Sequence, residues 1–228
     1  MPPLREINIE RVRIAEEIKR RIERNKLAQY KPYAKQIEFH NAGAIHRERL
    51  FMAGNQLGKT LAGGMEVAMH LTGRYPEWWE GKRFNKPTRG WAASVTNEVT
   101  RDGPQRILIG PPEQQEKWGT GTIPGDCIVD TNRATGISDA LATVVVKHVS
   151  GGNSYLGFKA YEQGRKKWQS ETLDFLWNDE EPPMDIYTEG LTRTNTTMGP
   201  VFTTFTPLLG MSEVVLMFLT EEEMKKMR

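Results

Sequence analysis

The stretch that most constrains this chain is residues 49–60, RLFMAGNQLGKT, where a short apolar run breaks into a turn and closes on Gly58, Lys59 and Thr60. An apolar strand that ends in a tight loop exposes successive backbone N–H groups, and the helix that follows aims its positive end at the same point. Such a junction suits a triphosphate and implies a strand–loop–helix unit. Gly54, Asn55, Gln56, Leu57 and Gly58 would line the phosphates, Lys59 would bridge the β and γ groups, and the Thr60 hydroxyl would ligate Mg²⁺. Ala53 takes the place of the first glycine in G-x-x-x-x-G-K-[ST], so the match is incomplete. Residues 60–72 read as the exit helix, with Leu61, Met65, Ala68, Met69 and Leu71 at roughly helical spacing. Gly63 and Gly64 weaken that helix but allow close packing on a sheet.

A second piece lies about 120 residues further on, where the apolar run 173–178, LDFLWN, leads into Asp179, Glu180 and Glu181 and then two prolines. An apolar strand ending in adjacent acids is the partner that a phosphate loop requires. Asp179 would hold Mg²⁺, and Glu180 would orient and deprotonate the attacking water. Glu181 is left as a spare acid, and Asn178 departs from the pattern by placing a polar side chain just before the acids. Upstream, Tyr33 and Gln36 offer a base site: a glutamine amide can make paired hydrogen bonds to adenine, and a tyrosine face can stack on it.

Taken together, the segments 30–39 (YKPYAKQIEF), 51–60, 90–105 (GWAASVTNEVTRDGPQ), 161–183 (YEQGRKKWQSETLDFLWNDEEPP) and 201–210 (VFTTFTPLLG) resemble the ATPase domain of the large terminase subunit of tailed bacteriophages. They stand in the family's order. The resemblance implies a P-loop NTPase of the RecA-like (ASCE) type that binds ATP and Mg²⁺. It matches Lys59, Thr60, Asp179, Glu180 and Gln36 to the residues carrying the roles above, and places Thr204 and Thr206 in a coupling motif that senses the γ-phosphate. It also implies partners: double-stranded DNA, a portal protein, a small terminase subunit and further copies of the chain in a ring, with a monomer expected in isolation and host cytoplasm as the setting. Many terminases carry a basic residue early in the phosphate loop, where this chain has Gly54 or Asn55. A charge that neutralises the γ-phosphate must then come from elsewhere, with Arg165 the first candidate and Arg101 the second.

Such large terminases continue into a nuclease domain, whereas this chain stops at Arg228, so ATP hydrolysis without DNA cleavage is expected. The domain reading is a charged helix at 1–29, the ATPase at 30–210, and a helix or linker start at 211–228. Two other functions share these motifs: a helicase-type DNA translocase, and an ATP-binding assembly module that switches shape without turnover.

Composition agrees with an ordinary globular chain, 38% hydrophobic and 26% charged. The single Cys127 excludes an internal disulfide and a cysteine-cluster metal site. No apolar run reaches the length of a membrane span, and the N-terminus is charged where a signal peptide is apolar. Residues 1–50 hold 12 Lys and Arg against 7 Asp and Glu, so the basic excess sits at the N-terminus, where Ile7, Val12, Ile14, Ile18, Ile22 and Leu27 lie among charges at mostly helical spacing. Short strands are expected at 90–95, 142–149 and 154–160, the last two as a hairpin through Gly151, Gly152 and Asn153, with a helix over 97–109 ended by Pro111 and Pro112. Strands alternating with helices elsewhere point to an α/β fold with a mostly parallel central sheet, an antiparallel section and a small appended subdomain.

Overall fold

The β-branched, aromatic and apolar runs form seven strands: β1 (Glu48–Met52), β2 (Arg89–Ser94), β3 (Ile128–Arg133), β4 (Leu141–Lys147), β5 (Asn153–Ala160), β6 (Phe175–Asp179) and β7 (Val201–Phe205). The helices are α1 (Leu4–Glu23), α2 (Ala34–Ala42), α3 (Lys59–Thr72), α4 (Asn97–Thr100), α5 (Arg106–Ile109), α6 (Met184–Thr194) and α7 (Glu213–Phe218). The structure is a computed structural model that describes residues 4–54, 56–207 and 212–219. The segment read as a C-terminal helix or linker start therefore lies partly outside the described residues.

All seven strands join one sheet in the order β1-β7-β6-β2-β5-β4-β3. The first five are mutually parallel, and β4 and β3 extend the sheet antiparallel beyond β5. The expected hairpin is the β4–β5 pair, turning through Gly151 and Gly152 at φ 91 and 76. Because β7 inserts between β1 and β6, the carboxyl ends of β1, β7 and β6 lie side by side. Ligands of open α/β sheets bind at such strand ends.

Buried side chains cover both faces. On one face α3 packs against Phe51, Trp177 and Phe202; on the other, Ile186 and Tyr187 of α6 pack with Trp91, Trp168 and Leu176. The alternation along β6 assigns Trp177 and Leu176 to opposite layers. Trp79 joins the first layer, which settles it as a packing residue. Cys127 is a buried free thiol whose titration burial pushes up to about 11, in keeping with a structural role.

Two expectations change. The helix over 97–109 is interrupted by a π-helical turn at Arg101–Gln105. Pro104 has no N–H to give to the preceding turn, so the ladder widens there. At the N-terminus, α1 stops at Glu23 rather than near residue 28, and Ile9, Val12, Ile14, Ile18 and Ile22 are each about half exposed. The 3₁₀ turn Leu27–Gln29 follows it, with Leu27 buried in the first layer.

Candidate active site

The phosphate loop leaves β1 and re-enters at α3, whose first residues are Lys59 and Thr60. The loop is tightly curved: Gln56 and Gly58 have φ of 62 and 73, and Gly58 caps the helix. Lys59 is buried at 7% exposure, and Asn55 lies outside the described residues. Gly54, Gln56, Leu57 and Gly58 form the described part of the loop.

Across the sheet end, Asp179 closes β6 at 5% exposure. Its Oδ1 accepts the Thr60 hydroxyl at 3.1 Å and the Thr204 hydroxyl at 2.8 Å. Thus Thr60 and Thr204, 119 and 25 residues from Asp179 in sequence, meet at one of its oxygens. The π turn presses on the other side: a Cβ on Gly103 would stand 3.3 Å from Asp179 Oδ2. Thr60 and Asp179 present two hard oxygens side by side, a donor set that fits Mg²⁺, which takes one or two protein ligands and completes its shell with phosphates and water.

Glu180, half-buried, takes φ 67, a left-handed backbone that costs a non-glycine residue about 1–3 kcal/mol and needs neighbours to enforce it. Three contacts do so. Its N–H donates to the Thr204 carbonyl at 2.8 Å, the Tyr161 hydroxyl donates to its carbonyl at 2.7 Å, and its Oε2 accepts the Thr206 N–H at 3.3 Å. The turn swings the carboxylate out of the strand line, so two consecutive acids serve different positions.

A cavity of about 1100 Å³ lies beside the loop, lined by Tyr30, Tyr33, Gln36, Met52, Leu57 and Leu61 among others, and holds both residues expected to take a base. Tyr33 stands at its mouth at 47% exposure. Gln36 is 2% exposed and already engaged, its Nε2 donating to the Gly58 carbonyl at 2.9 Å and its Oε1 accepting the Tyr33 N–H at 3.2 Å. An amide has two donors and two acceptor sites, so one of each remains for a base. Gln36 also ties α2 to the phosphate loop, a role that sequence reading did not assign.

Residues 50–228 match the family described as terminase large subunit, T4likevirus-type, N-terminal. The chain belongs to the large terminase subunit family. It is 45% identical over 210 residues to the large terminase subunit of Salmonella phage P22, covering 85% of this chain and 42% of that protein. It is 27% identical over 209 residues to that of Enterobacteria phage LP7, covering 85% and 43%. This terminase chain thus spans less than half the length of those relatives. The large terminase of the thermophilic bacteriophage D6E aligns with a TM-score of 0.48 at 10% identity, over 86% of this chain and 50% of that one; its form in complex with ADP gives 0.47 at 11%, over 86% and 49%.

Within the terminase site, burial pushes the Asp179 carboxyl up to about 6, against the pull of the Thr204 and Thr60 hydroxyls and of Lys59. Neither arginine candidate points at the acids. Arg165 Nε pairs with Glu189 on α6 at 2.9 Å, and Arg101 pairs with Asp102 at 2.8 Å and with the Ser138 carbonyl at 3.1 Å. The Asn178 side chain is fully buried with neither amide atom hydrogen-bonded, and Glu181 Oε1 is likewise buried without a partner. Sequence reading missed Tyr161 and Trp177: a tyrosine just after one strand and a tryptophan inside another carry no local sign that their polar atoms reach the backbone carbonyls of the acids and the Thr204 hydroxyl, respectively. His148, inside the run expected as a strand over 142–149, is buried at 2% exposure.

Proposed function

We propose that this domain is the ATPase motor of a viral large terminase, hydrolysing ATP to drive double-stranded DNA into a procapsid. The observation that carries this reading is the 3.1 Å contact between the Thr60 hydroxyl and Asp179, which joins the phosphate loop to the acid strand as one metal seat. The loop N–H groups and Lys59 hold the triphosphate, while Tyr33 and the free half of the Gln36 amide take the adenine. Bound there, Mg²⁺ would neutralise charge on the β and γ phosphates. Glu180, set apart from Asp179 by its left-handed turn, orients a water for in-line attack and accepts its proton. Thr204, bonded to both acids, and Thr206, bonded to Glu180, let the end of strand β7 sense the state of the site.

A positive charge for the transferring phosphoryl group remains to be supplied. Arg165 serves only by leaving Glu189; otherwise a neighbouring subunit in a ring provides it. The setting is the host cytoplasm, with DNA, the portal protein and the small terminase subunit as partners; among the described residues no helix is long and apolar enough to cross a membrane.

The test is steady-state ATP hydrolysis and nucleotide binding by the chain and by Glu180→Gln. General-base catalysis is worth about 10²–10⁴ in rate, so the variant is expected to bind ATP normally and lose that much turnover. Equal turnover in both would remove Glu180 from the mechanism. Binding without hydrolysis in either would favour a nucleotide switch, and absence of binding would end the phosphate-loop reading.

A further inference from the structure

Beyond the acids themselves, the site holds a fully buried indole whose only polar atom is aimed at the coupling strand. Trp177 Nε1 donates to Thr204 Oγ1 at 2.9 Å, and Thr204 Oγ1 in turn lies 2.8 Å from Asp179 Oδ1. An indole N–H can only donate. It occupies an acceptor lone pair of the Thr204 oxygen, so the single hydroxyl proton is left to point at the carboxylate. The direction of the chain is therefore fixed: indole to hydroxyl to metal acid. Thr204 held in this way cannot also donate to a phosphate or to the attacking water.

The indole reaches Thr204 because the phosphate-loop helix leaves room for it. Gly63 on α3 lies directly against the ring, and a Cβ there would fall within contact of Nε1, Cε2 and Cζ2. Trp177 is thus wedged between α3, which carries Lys59 and Thr60, and β7, which carries Thr204, while its own strand ends in Asp179.

We propose that Trp177 is a positioning residue for Mg²⁺ binding: by orienting the Thr204 hydroxyl it holds Asp179 as an aimed ligand. The proposal rests on the ATPase reading of this site. Partners that orient a ligating carboxylate matter almost as much as the ligand, and losing one typically weakens metal binding or activity by about 10–100-fold.

Trp177→Phe, Thr204→Val, Thr204→Ser and the Trp177→Phe/Thr204→Val double variant separate this role from packing. Two readouts are used: the Mg²⁺ concentration that half-saturates binding of a fluorescent ATP analogue, with affinity in EDTA as control, and the Trp177 indole resonance in a ¹H–¹⁵N spectrum. Each of Trp177→Phe and Thr204→Val is expected to raise the Mg²⁺ requirement about tenfold while leaving binding in EDTA unchanged. The double variant should be no worse than either single one, and Thr204→Ser should restore the wild-type value. The indole resonance should shift in Thr204→Val and not in Thr204→Ser.

An unmoved Mg²⁺ requirement in Trp177→Phe, effects that multiply in the double variant, or an indole resonance indifferent to Thr204→Val would each overturn the proposal. If Trp177→Phe does not fold, the indole is assigned in the wild type and the two Thr204 variants decide. A wild type that binds no nucleotide overturns the ATPase reading and this proposal with it. A wild type that binds with Mg²⁺ alongside an unaffected Trp177→Phe overturns only the proposal.

Discussion

Two buried carboxylates, Glu66 in the core and Asp179 at the site, show how similar burial leads to opposite shifts in titration. Glu66 is fully buried on α3, where desolvation favours the neutral acid. The Arg49 charge and hydrogen bonds from His40, His70 and Arg49 override it and hold the carboxyl well below its usual range. Asp179 is almost as buried but is met by hydroxyls, so desolvation wins and its carboxyl rises to about 6. A guanidinium bonded directly to the carboxylate, with histidine support, outweighs burial where two hydroxyls and the charge of Lys59 do not. The core thus spends the Arg49 charge on stability, while at the site Lys59 leaves Asp179 undercompensated, which is what a metal ligand needs.

The largest break in this comparison is expected at Glu66. Removing one partner of a buried pair costs about 3–5 kcal/mol because the other charge is left uncompensated. Glu66→Ala should therefore strand Arg49 and unfold the domain at markedly lower urea concentration, or prevent its accumulation as folded protein. A loss below 1 kcal/mol would mean that the cluster is hydrated or rearranges.

The mirror substitution at the site should act in the opposite direction. With a folded value near 6 against an ordinary 3.8, Asp179 binds protons more readily in the folded than in the unfolded chain, so its ionisation opposes folding at neutral pH. Asp179→Asn is expected to raise stability by on the order of 2–3 kcal/mol at pH 7 while abolishing Mg²⁺-dependent nucleotide binding. Thermal unfolding with and without Mg²⁺ would show both effects.

The pH dependence sharpens the same contrast. As pH falls from above 6 to below 4, wild-type Asp179 takes up its proton and its penalty disappears, so the advantage of Asp179→Asn should shrink to nothing across that window. Glu66, depressed below 4.5, keeps its full contribution down to about pH 4.5 and loses it progressively below that. Over the same window Mg²⁺-dependent binding should weaken as Asp179 protonates. A constant difference between wild type and Asp179→Asn from pH 4 to 7 would place the Asp179 value near that of an exposed carboxylate.

The smallest effect concerns Asn178, whose amide is buried without partners one residue before the acid. Leaving a buried polar group unsatisfied costs about 1–3 kcal/mol, so Asn178→Leu, similar in size, is expected to stabilise by about 1 kcal/mol. Destabilisation would reveal a partner for the amide, such as ordered water.

Much of the site was legible because its parts are local. The strand–loop–helix at 48–72 and the acids closing β6 are written in consecutive residues, where apolar runs, turn residues and carboxylates carry their own meaning. The coupling threonines were legible only through family resemblance, and Arg165 was chosen for nearness in sequence to the acid strand, a measure that says nothing of its pairing with Glu189. Strand β3 escaped notice because its edge position leaves most of its side chains outside the core, which removes the apolar signature. Helix α6 was overlooked behind the two prolines that precede it.

By itself, the sequence determined which chemical groups are available and which local units hold them: a loop rich in N–H groups with Lys59 and Thr60, and a strand ending in two acids. Only the tertiary structure decided who meets whom. The insertion of β7 between β1 and β6 places Thr204 opposite both Phe51 and Asp179, brings the Trp177 indole onto its hydroxyl, and buries Asp179 enough to shift its titration. Strand order and burial are properties of the whole packed sheet, and contacts spanning 119 residues leave no trace in the spacing of either partner.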